Sequence, residues 1–137
     1  RITGAGEIAD TAELAPTAAA LALLASGPTR LTGIGHLRGH ETDRLAALTA
    51  EAARLGVTVD EGETTLGFPG TDASGPLSPA ALETYHDHRM ATFAAVVGLR
   101  VPGTGIVDVA TTAKTMPDFP ALWTALVAPG DAAEEAR

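Results

Sequence analysis

The chain resembles itself when shifted by about 74 residues, a period that marks repeated supersecondary units. Glu13 falls on Asp87, and the Ala-rich stretch after it falls on Met90–Leu99. Gly27-Pro28 falls near Pro102-Gly103, Leu31 on Ile106, His40 on Lys114, and Leu45–Leu48 on Phe119–Leu122. Each unit reads strand, helix, strand, helix. The first adds two strands, over 57–60 and 64–68, and the second has no residues left for such a pair. An open unit leaves a sheet edge unpaired, which proteins normally avoid. The missing strands are therefore expected from elsewhere, and the chain, which starts at Arg1 rather than Met, is expected to be a piece of something longer. The expected organisation is α/β (α+β). One unit covers about 1–70, a Gly-, Ser- and Pro-rich loop covers 69–79, a second unit covers about 80–128, and 129–137 is a polar tail.

The elements follow from local signals. Residues 13–26 read as a helix carrying Leu14, Leu21 and Leu24, with Pro16 confined to its first turn. Gly27-Pro28 stops it, and 29–34 reads as a strand. Leu45, Leu48, Ala52 and Leu55 recur at the three- and four-residue spacing of a buried helix face, and Gly56 supplies the stop. A strand is expected over 81–85. Asp87 then caps a helix running to Arg100, with Met90, Phe93, Ala94 and Val97 on its apolar face. A strand over 105–109 and a polar connection over 110–116 lead to a last helix opened by Pro117, with Phe119, Leu122 and Leu126 on one face and Trp123 beside them.

Composition excludes several chemistries. The chain is 45% hydrophobic but only 4% aromatic, so its core must be built from Ala, Leu and Val. With 9 basic and 17 acidic residues, net charge −8, it lacks the basic face that nucleic-acid binding needs. Small phosphorylated ligands remain open to it, since they need only a few well-placed cations. Without cysteine there is no disulfide or thiolate chemistry within these residues. No apolar run reaches membrane-spanning length and no signal peptide is apparent, so a cytoplasmic location without membrane contact is expected.

The polar groups collect at helix starts. His36, Arg38, His40, Glu41 and Arg44, with Asp43, crowd the approach to the helix at 45–55. Acidic first-turn residues are ordinary caps, so this cluster alone specifies a helix start and no chemistry. Its counterparts in the repeat change that. Glu13 and Asp87-His88-Arg89 begin the first helix of each unit, and Lys114, the sole lysine, begins the second helix of the second unit. Strand-to-helix corners of an α/β sheet share one face, the usual ligand crevice. Glu13, Glu41, Arg44, Arg89 and Lys114 are thus expected to converge on one site. There, cations would hold a phosphate or carboxylate and two acids would move protons. No His, Asp and Glu spacing suggests a metal. Gly4 and Gly6 are too few for a phosphate loop, and Ser26, Ser74 and Ser78 lack a nucleophile-elbow context.

Three motifs in order, His-Glu-Thr-Asp-Arg-Leu at 40–45, Asp-His-Arg-Met at 87–90 and Ala-Lys-Thr-Met-Pro-Asp-Phe at 113–119, resemble the C-terminal part of the 5-enolpyruvylshikimate-3-phosphate synthases. The resemblance covers Glu13 to Leu126. It implies transfer of the enolpyruvyl group of phosphoenolpyruvate to the 5-hydroxyl of shikimate 3-phosphate, in the shikimate pathway to aromatic amino acids, by enzymes many of which are glyphosate targets. It implies two closing domains, each an inside-out α/β barrel of three βαβαββ units. This chain would be two units of one domain, and the missing N-terminal part would supply the absent strand pair. By position, Glu13 resembles the base at the shikimate hydroxyl. Glu41 resembles the acid that protonates the methylene of phosphoenolpyruvate. Arg44, Arg89 and Lys114 resemble its phosphoenolpyruvate-binding cations. Glu13, His36 and His40 would face shikimate 3-phosphate, with His40 standing where many members have Lys and His36 where some have Asn. The family needs no metal or organic cofactor. Two alternatives stand beside it: a fragment of the sister UDP-N-acetylglucosamine enolpyruvyl transferase, and a non-catalytic repeat fragment.

Overall fold

The helix α2, Arg44–Arg54, shows why the chain folds as it does. Asp43 caps it in extended conformation, accepting from the N–H of Ala46 at 3.1 Å. Leu45, Leu48, Ala52 and Leu55 are fully buried, as the spacing predicts. Gly56 leaves the helix at φ +89°, a conformation that glycine adopts without penalty. Asp43 also takes two bonds from Arg38 Nη1, at 2.9 and 3.1 Å. Burial alone would raise the Asp43 carboxyl, but the Ala46 N–H and the Arg38 guanidinium outweigh it and hold the group below its ordinary 3.8. The stability it contributes is present above that value and is lost as pH falls below it. Asp43→Ala is expected to cost about 1–2 kcal/mol in urea unfolding at pH 7, mostly through the cap. The difference should shrink below pH 4, and a pH-independent difference would contradict the assignment.

The computed structural model of the chain describes residues 2–4, 6–39 and 42–128, with Lys114 described by its backbone alone. Strand β1 (Gly6–Ala9) leads through a 3-10 turn, Ala12–Leu14, into α1 (Ala15–Leu24) and then into β2 (Thr29–Thr32). A second 3-10 turn, Gly35–Gly39, precedes α2. β3 (Asp60–Glu61) and β4 (Leu66–Phe68) follow. The sheet order is β1-β2-β4-β3, with β1 and β2 parallel and the other pairings antiparallel. The short α3 (Thr71–Ser74) leads to β5 (Ala81–Leu82), α4 (His88–Gly98) and β6 (Gly105–Ile106), and β5 and β6 pair in parallel. A 3-10 turn, Val109–Lys114, and α5 (Phe119–Val127) complete the described chain. This is an α/β arrangement whose core lies between the sheet and α1, α2 and α4, with α1 packed against α4. No described helix is long and apolar enough to cross a membrane.

The differences from expectation have physical causes. Most strands are shorter than expected. The 57–60 strand reduces to Asp60–Glu61, with Val57 and Val59 buried as irregular chain, and the 81–85 and 105–109 strands reduce to two residues each. Apolar alternation selects which side chains are buried, whereas a strand needs a neighbour along its whole length. The 69–79 loop contains α3, because the N–H groups of Thr71 and Asp72 bond the carbonyls of Ala25 and Ser26 at 2.8 and 3.0 Å. Gly70 is required at that crossing, since a Cβ there would lie 2.5 Å from Gly27 and Ser26 backbone atoms. In α1 the buried face is Ala15, Ala19, Ala20, Ala22 and Leu23, while Leu14 and Leu21 are exposed. Small side chains let α1 approach α4 closely. In α5 only Phe119 is buried, with its ring 5.5 Å from that of Trp123, and Leu122 and Leu126 are exposed. Periodicity identifies an apolar face but not whether a neighbour covers it. The expected tail at 129–137 lies outside the described residues.

A buried polar contact ties α2 to the loop before α4. Glu51, fully buried, accepts from Tyr85 Oη at 2.6 Å and from the Glu83 N–H at 2.7 Å. Burial, reinforced by the hydrogen bond to that carboxylate, pushes the Tyr85 phenol from 10.0 up to about 12. The fold therefore favours the neutral phenol. Its contribution is fully present below pH 10 and is lost as pH rises through about 12. Tyr85 is the sole tyrosine, so absorbance at the tyrosinate band reads it directly. The titration midpoint is expected near pH 12 and should fall towards 10 in Glu51→Ala. An unshifted wild-type midpoint would show that the bond does not form.

Candidate functional site

Three helix starts meet around one buried arginine. Arg44, the first residue of α2, is 1% exposed. Its Nε lies 2.7 Å and its Nη2 3.2 Å from the two carboxylate oxygens of Asp87, a forked pairing with a fully buried partner. Its Nη1 reaches Glu13 Oε2 at 2.9 Å. Glu13 comes from the 3-10 turn before α1, and Asp87 is the N-cap of α4. Asp87 also accepts from the Arg89 N–H at 2.9 Å, so one carboxylate both caps a helix and neutralises Arg44. Burial opposes the charge on Arg44, but the bonds to Asp87 and Glu13 outweigh it and raise its pKa, so it remains a cation.

Arg89 completes the group. Its Nε stands 4.0 Å from the same Glu13 oxygen. Glu13 and Arg89 are partly exposed, while Arg44 and Asp87 are closed off, so the cluster opens on the Glu13–Arg89 side. There, the buried atoms Thr11 Oγ1, His88 Nδ1 and Arg89 Nε have no hydrogen-bond partner among the described residues. Orphaned buried polar atoms are uncommon and call for a partner such as ligand or water. A cleft of about 250 Å³ adjoins the last two, lined by His88, Arg89, Thr92, Thr112, Thr115, Met116 and Phe119. A larger hollow of about 450 Å³ lies on the sheet beside Glu7, Arg30 and Asp60, but its arginine is already paired with Asp60 at 3.2 Å. The chemistry points to the smaller cleft.

The structure brings together Glu13, Arg44 and Arg89 of the expected residues. His40 and Glu41 lie outside the described residues, and only the backbone of Lys114 is described, ending the 3-10 turn at Val109–Lys114. His36 is exposed on the turn before α2. Arg38 is a structural residue rather than an anion ligand: Asp43 and Glu61 pair with it at 2.9 Å each, and the carbonyls of Gly62 and Glu63 take its remaining donors. Sequence reasoning had Asp87 as a cap and missed its role as the buried partner of Arg44. A signal was present, because Arg44, Leu48, Glu51 and Leu55 share one α2 face, and charges on an apolar stripe demand buried partners. No group of three or more His, Asp or Glu among the described residues is placed to hold a metal ion.

Comparison with known proteins agrees with the motifs. The family model for EPSP synthase (3-phosphoshikimate 1-carboxyvinyltransferase) matches residues 3–123. A 3-phosphoshikimate 1-carboxyvinyltransferase of Kocuria rhizophila is 54% identical over 121 residues, covering 88% of this chain and 26% of that protein. One of Mycobacterium ulcerans is 50% identical over 123 residues, covering 88% and 28%. The chain thus spans about a quarter of the length of these curated relatives. Among solved structures, an EPSP synthase of Acinetobacter baumannii superposes with a TM-score of 0.70 at 30% identity, over 78% of this chain and 25% of that one. The enolpyruvyl transferase NikO of Streptomyces tendae shares the fold, with a TM-score of 0.64 at 21% identity over 91% of this chain and 28% of that one. With a match running almost from end to end over the residues that build the Arg44 cluster, the chain belongs to the EPSP synthase family.

Proposed function

We propose that the chain is part of a 3-phosphoshikimate 1-carboxyvinyltransferase, which joins the enolpyruvyl group of phosphoenolpyruvate to the 5-hydroxyl of shikimate 3-phosphate and releases phosphate. The observation that supports it best is the buried Arg89 Nε, which has no hydrogen-bond partner among the described residues and stands beside the Arg44–Glu13 ion pair. In this reading Arg44, Arg89 and Lys114 hold phosphoenolpyruvate, and Glu13, His36 and His40 face shikimate 3-phosphate. The 5-hydroxyl oxygen bonds to the central carbon of phosphoenolpyruvate while Glu13 takes the hydroxyl proton and Glu41 protonates the methylene. The tetrahedral adduct then loses phosphate, and the proton added to the methylene carbon returns to Glu41. An acid and a base on opposite sides of the reacting carbon serve both steps, and the forked Arg44–Asp87 pairing keeps one cation in place beforehand.

The same reading makes the chain two βαβαββ units of an inside-out barrel. The β-α-β-α order from β1 to α2, followed by β3 and β4, supports the first unit, and the order from β5 to α5 supports a second without its last strand pair. The divisions near 69–79 and after 128 belong to this reading, as do a cytoplasmic location and chemistry without metal or organic cofactor. The missing N-terminal part would complete the sheet and carry the opposing substrate contacts.

Phosphate release tests the assignment. The full-length protein with phosphoenolpyruvate is expected to release phosphate with shikimate 3-phosphate and not with UDP-N-acetylglucosamine, and the reverse preference would overturn it. The 137-residue chain alone is expected to show no turnover. Robust turnover by it would overturn the division of the site between two parts.

A further inference from the structure

We propose that Glu51 and Tyr85 form a strut that positions Asp87 and Arg89 for binding phosphoenolpyruvate, an inference that rests on the function proposed above. Arg44 and Glu51 lie seven residues apart on one face of α2, two turns or about 10 Å along the helix. Both point into the loop that delivers α4. Arg44 grips Asp87, and Glu51 grips the Glu83 N–H and the Tyr85 hydroxyl. The loop from Glu83 to Asp87 is therefore pinned to a single rigid helix at both ends.

The loop needs such pins. Asp87 N–H bonds the Thr84 carbonyl at 2.8 Å, closing a tight turn whose central residues, Tyr85 and His86, have φ of +56° and +55°. Paired positive φ values suit Asn-Gly, and both positions here carry larger side chains. Such a conformation persists where its surroundings over-determine it. His86 is almost wholly exposed and its contact with Asp108 is 3.6 Å, so it supplies little of that hold. Glu51 supplies it, held by its two hydrogen bonds and by Arg54 Nε at 3.3 Å. Relaxing the turn would move Asp87, and with it the first turn of α4 and Arg89. Tyr85 and Glu51 are thus positioning residues, acting through Asp87 and Arg89.

The test uses the full-length synthase and separate KM values for its two substrates. Tyr85→Phe removes one hydroxyl and is expected to raise the KM for phosphoenolpyruvate about fivefold or more, the scale of one lost hydrogen bond. The KM for shikimate 3-phosphate and kcat should stay within about twofold. Glu51→Ala should behave alike. Glu51→Gln can still accept from the Glu83 N–H and donate to Tyr85 Oη, so it should remain close to wild type. Val59→Ala, a core change away from the loop, controls for a general loss of Tm and should shift neither KM. An unchanged phosphoenolpyruvate KM in Tyr85→Phe and Glu51→Ala, or equal shifts in Val59→Ala, would overturn the strut. A Glu51→Gln variant as impaired as Glu51→Ala would also overturn it, by showing that charge rather than geometry matters. A wild-type enzyme with no phosphate release would instead overturn the proposed function.

Discussion

Asp87→Ala is expected to destabilise the fold by roughly 3–5 kcal/mol, the cost of leaving one member of a buried ion pair without its partner. Asp87 is fully buried and holds both Nε and Nη2 of Arg44. Once it is gone, Arg44 keeps Glu13, whose carboxylate is half-exposed and therefore a weaker neutraliser. Lost capping of α4 adds about 1 kcal/mol. Asp87→Ser separates the two contributions, since serine can cap but cannot neutralise. The double variant Arg44→Met with Asp87→Ser removes both charges and should regain much of the loss. Urea midpoints for wild type, Arg44→Met alone, Asp87→Ser alone and the double form a cycle whose coupling is expected to exceed about 2 kcal/mol. Coupling near zero would mean that the pair contributes nothing and that Arg44 is buried for another reason.

The largest effect on turnover is expected from Glu13→Gln. Glutamine keeps the size of the side chain and can still accept from Arg44 Nη1, now 2.9 Å away, but it cannot take up a proton. In the full-length synthase this should lower kcat by about 10²–10⁴-fold, the range for losing a general base, with little change in either KM. The exposed Arg100, just past α4, provides a control: Arg100→Gln should stay within about twofold of wild type by the same measure. Arg54 would be a poor control, because it lies 3.3 Å from Glu51. Equal losses in the Glu13 and Arg100 variants would remove Glu13 from the chemistry. A change confined to the shikimate 3-phosphate KM would reassign it to binding.

Together these expectations separate two functions of one cluster. The inner pair, Arg44 with Asp87, is closed to solvent, so its loss is expected to show first in stability and in the placement of Arg44. The outer pair, Glu13 with Arg89, is partly exposed and is the pair that the proposed function sets against substrate. The shared oxygen of Glu13 and the bond from the Arg89 N–H to Asp87 connect them, so a change in the inner pair is expected to reach the outer one.

The parts of this protein determined by sequence alone are those in which the deciding interactions are local. α2 and α4 stand where the spacing of Leu45, Leu48, Ala52 and Leu55, and of Met90, Phe93, Ala94 and Val97, puts them, and Asp43 and Asp87 cap them. Helical periodicity and capping act within a few residues, so a single stretch carries the whole signal. The family is legible for a related reason, since three short motifs keep their order and spacing. Tertiary structure decided which charges meet. Arg44 and Asp87 are 43 residues apart and Glu51 and Tyr85 are 34 apart, and nothing near either member names its partner. It also decided that the strands at 81–82 and 105–106 stop at two residues and that the apolar face of α5 is left largely open. Pairing and burial depend on what arrives from the rest of the molecule, and a local pattern records only readiness for a neighbour.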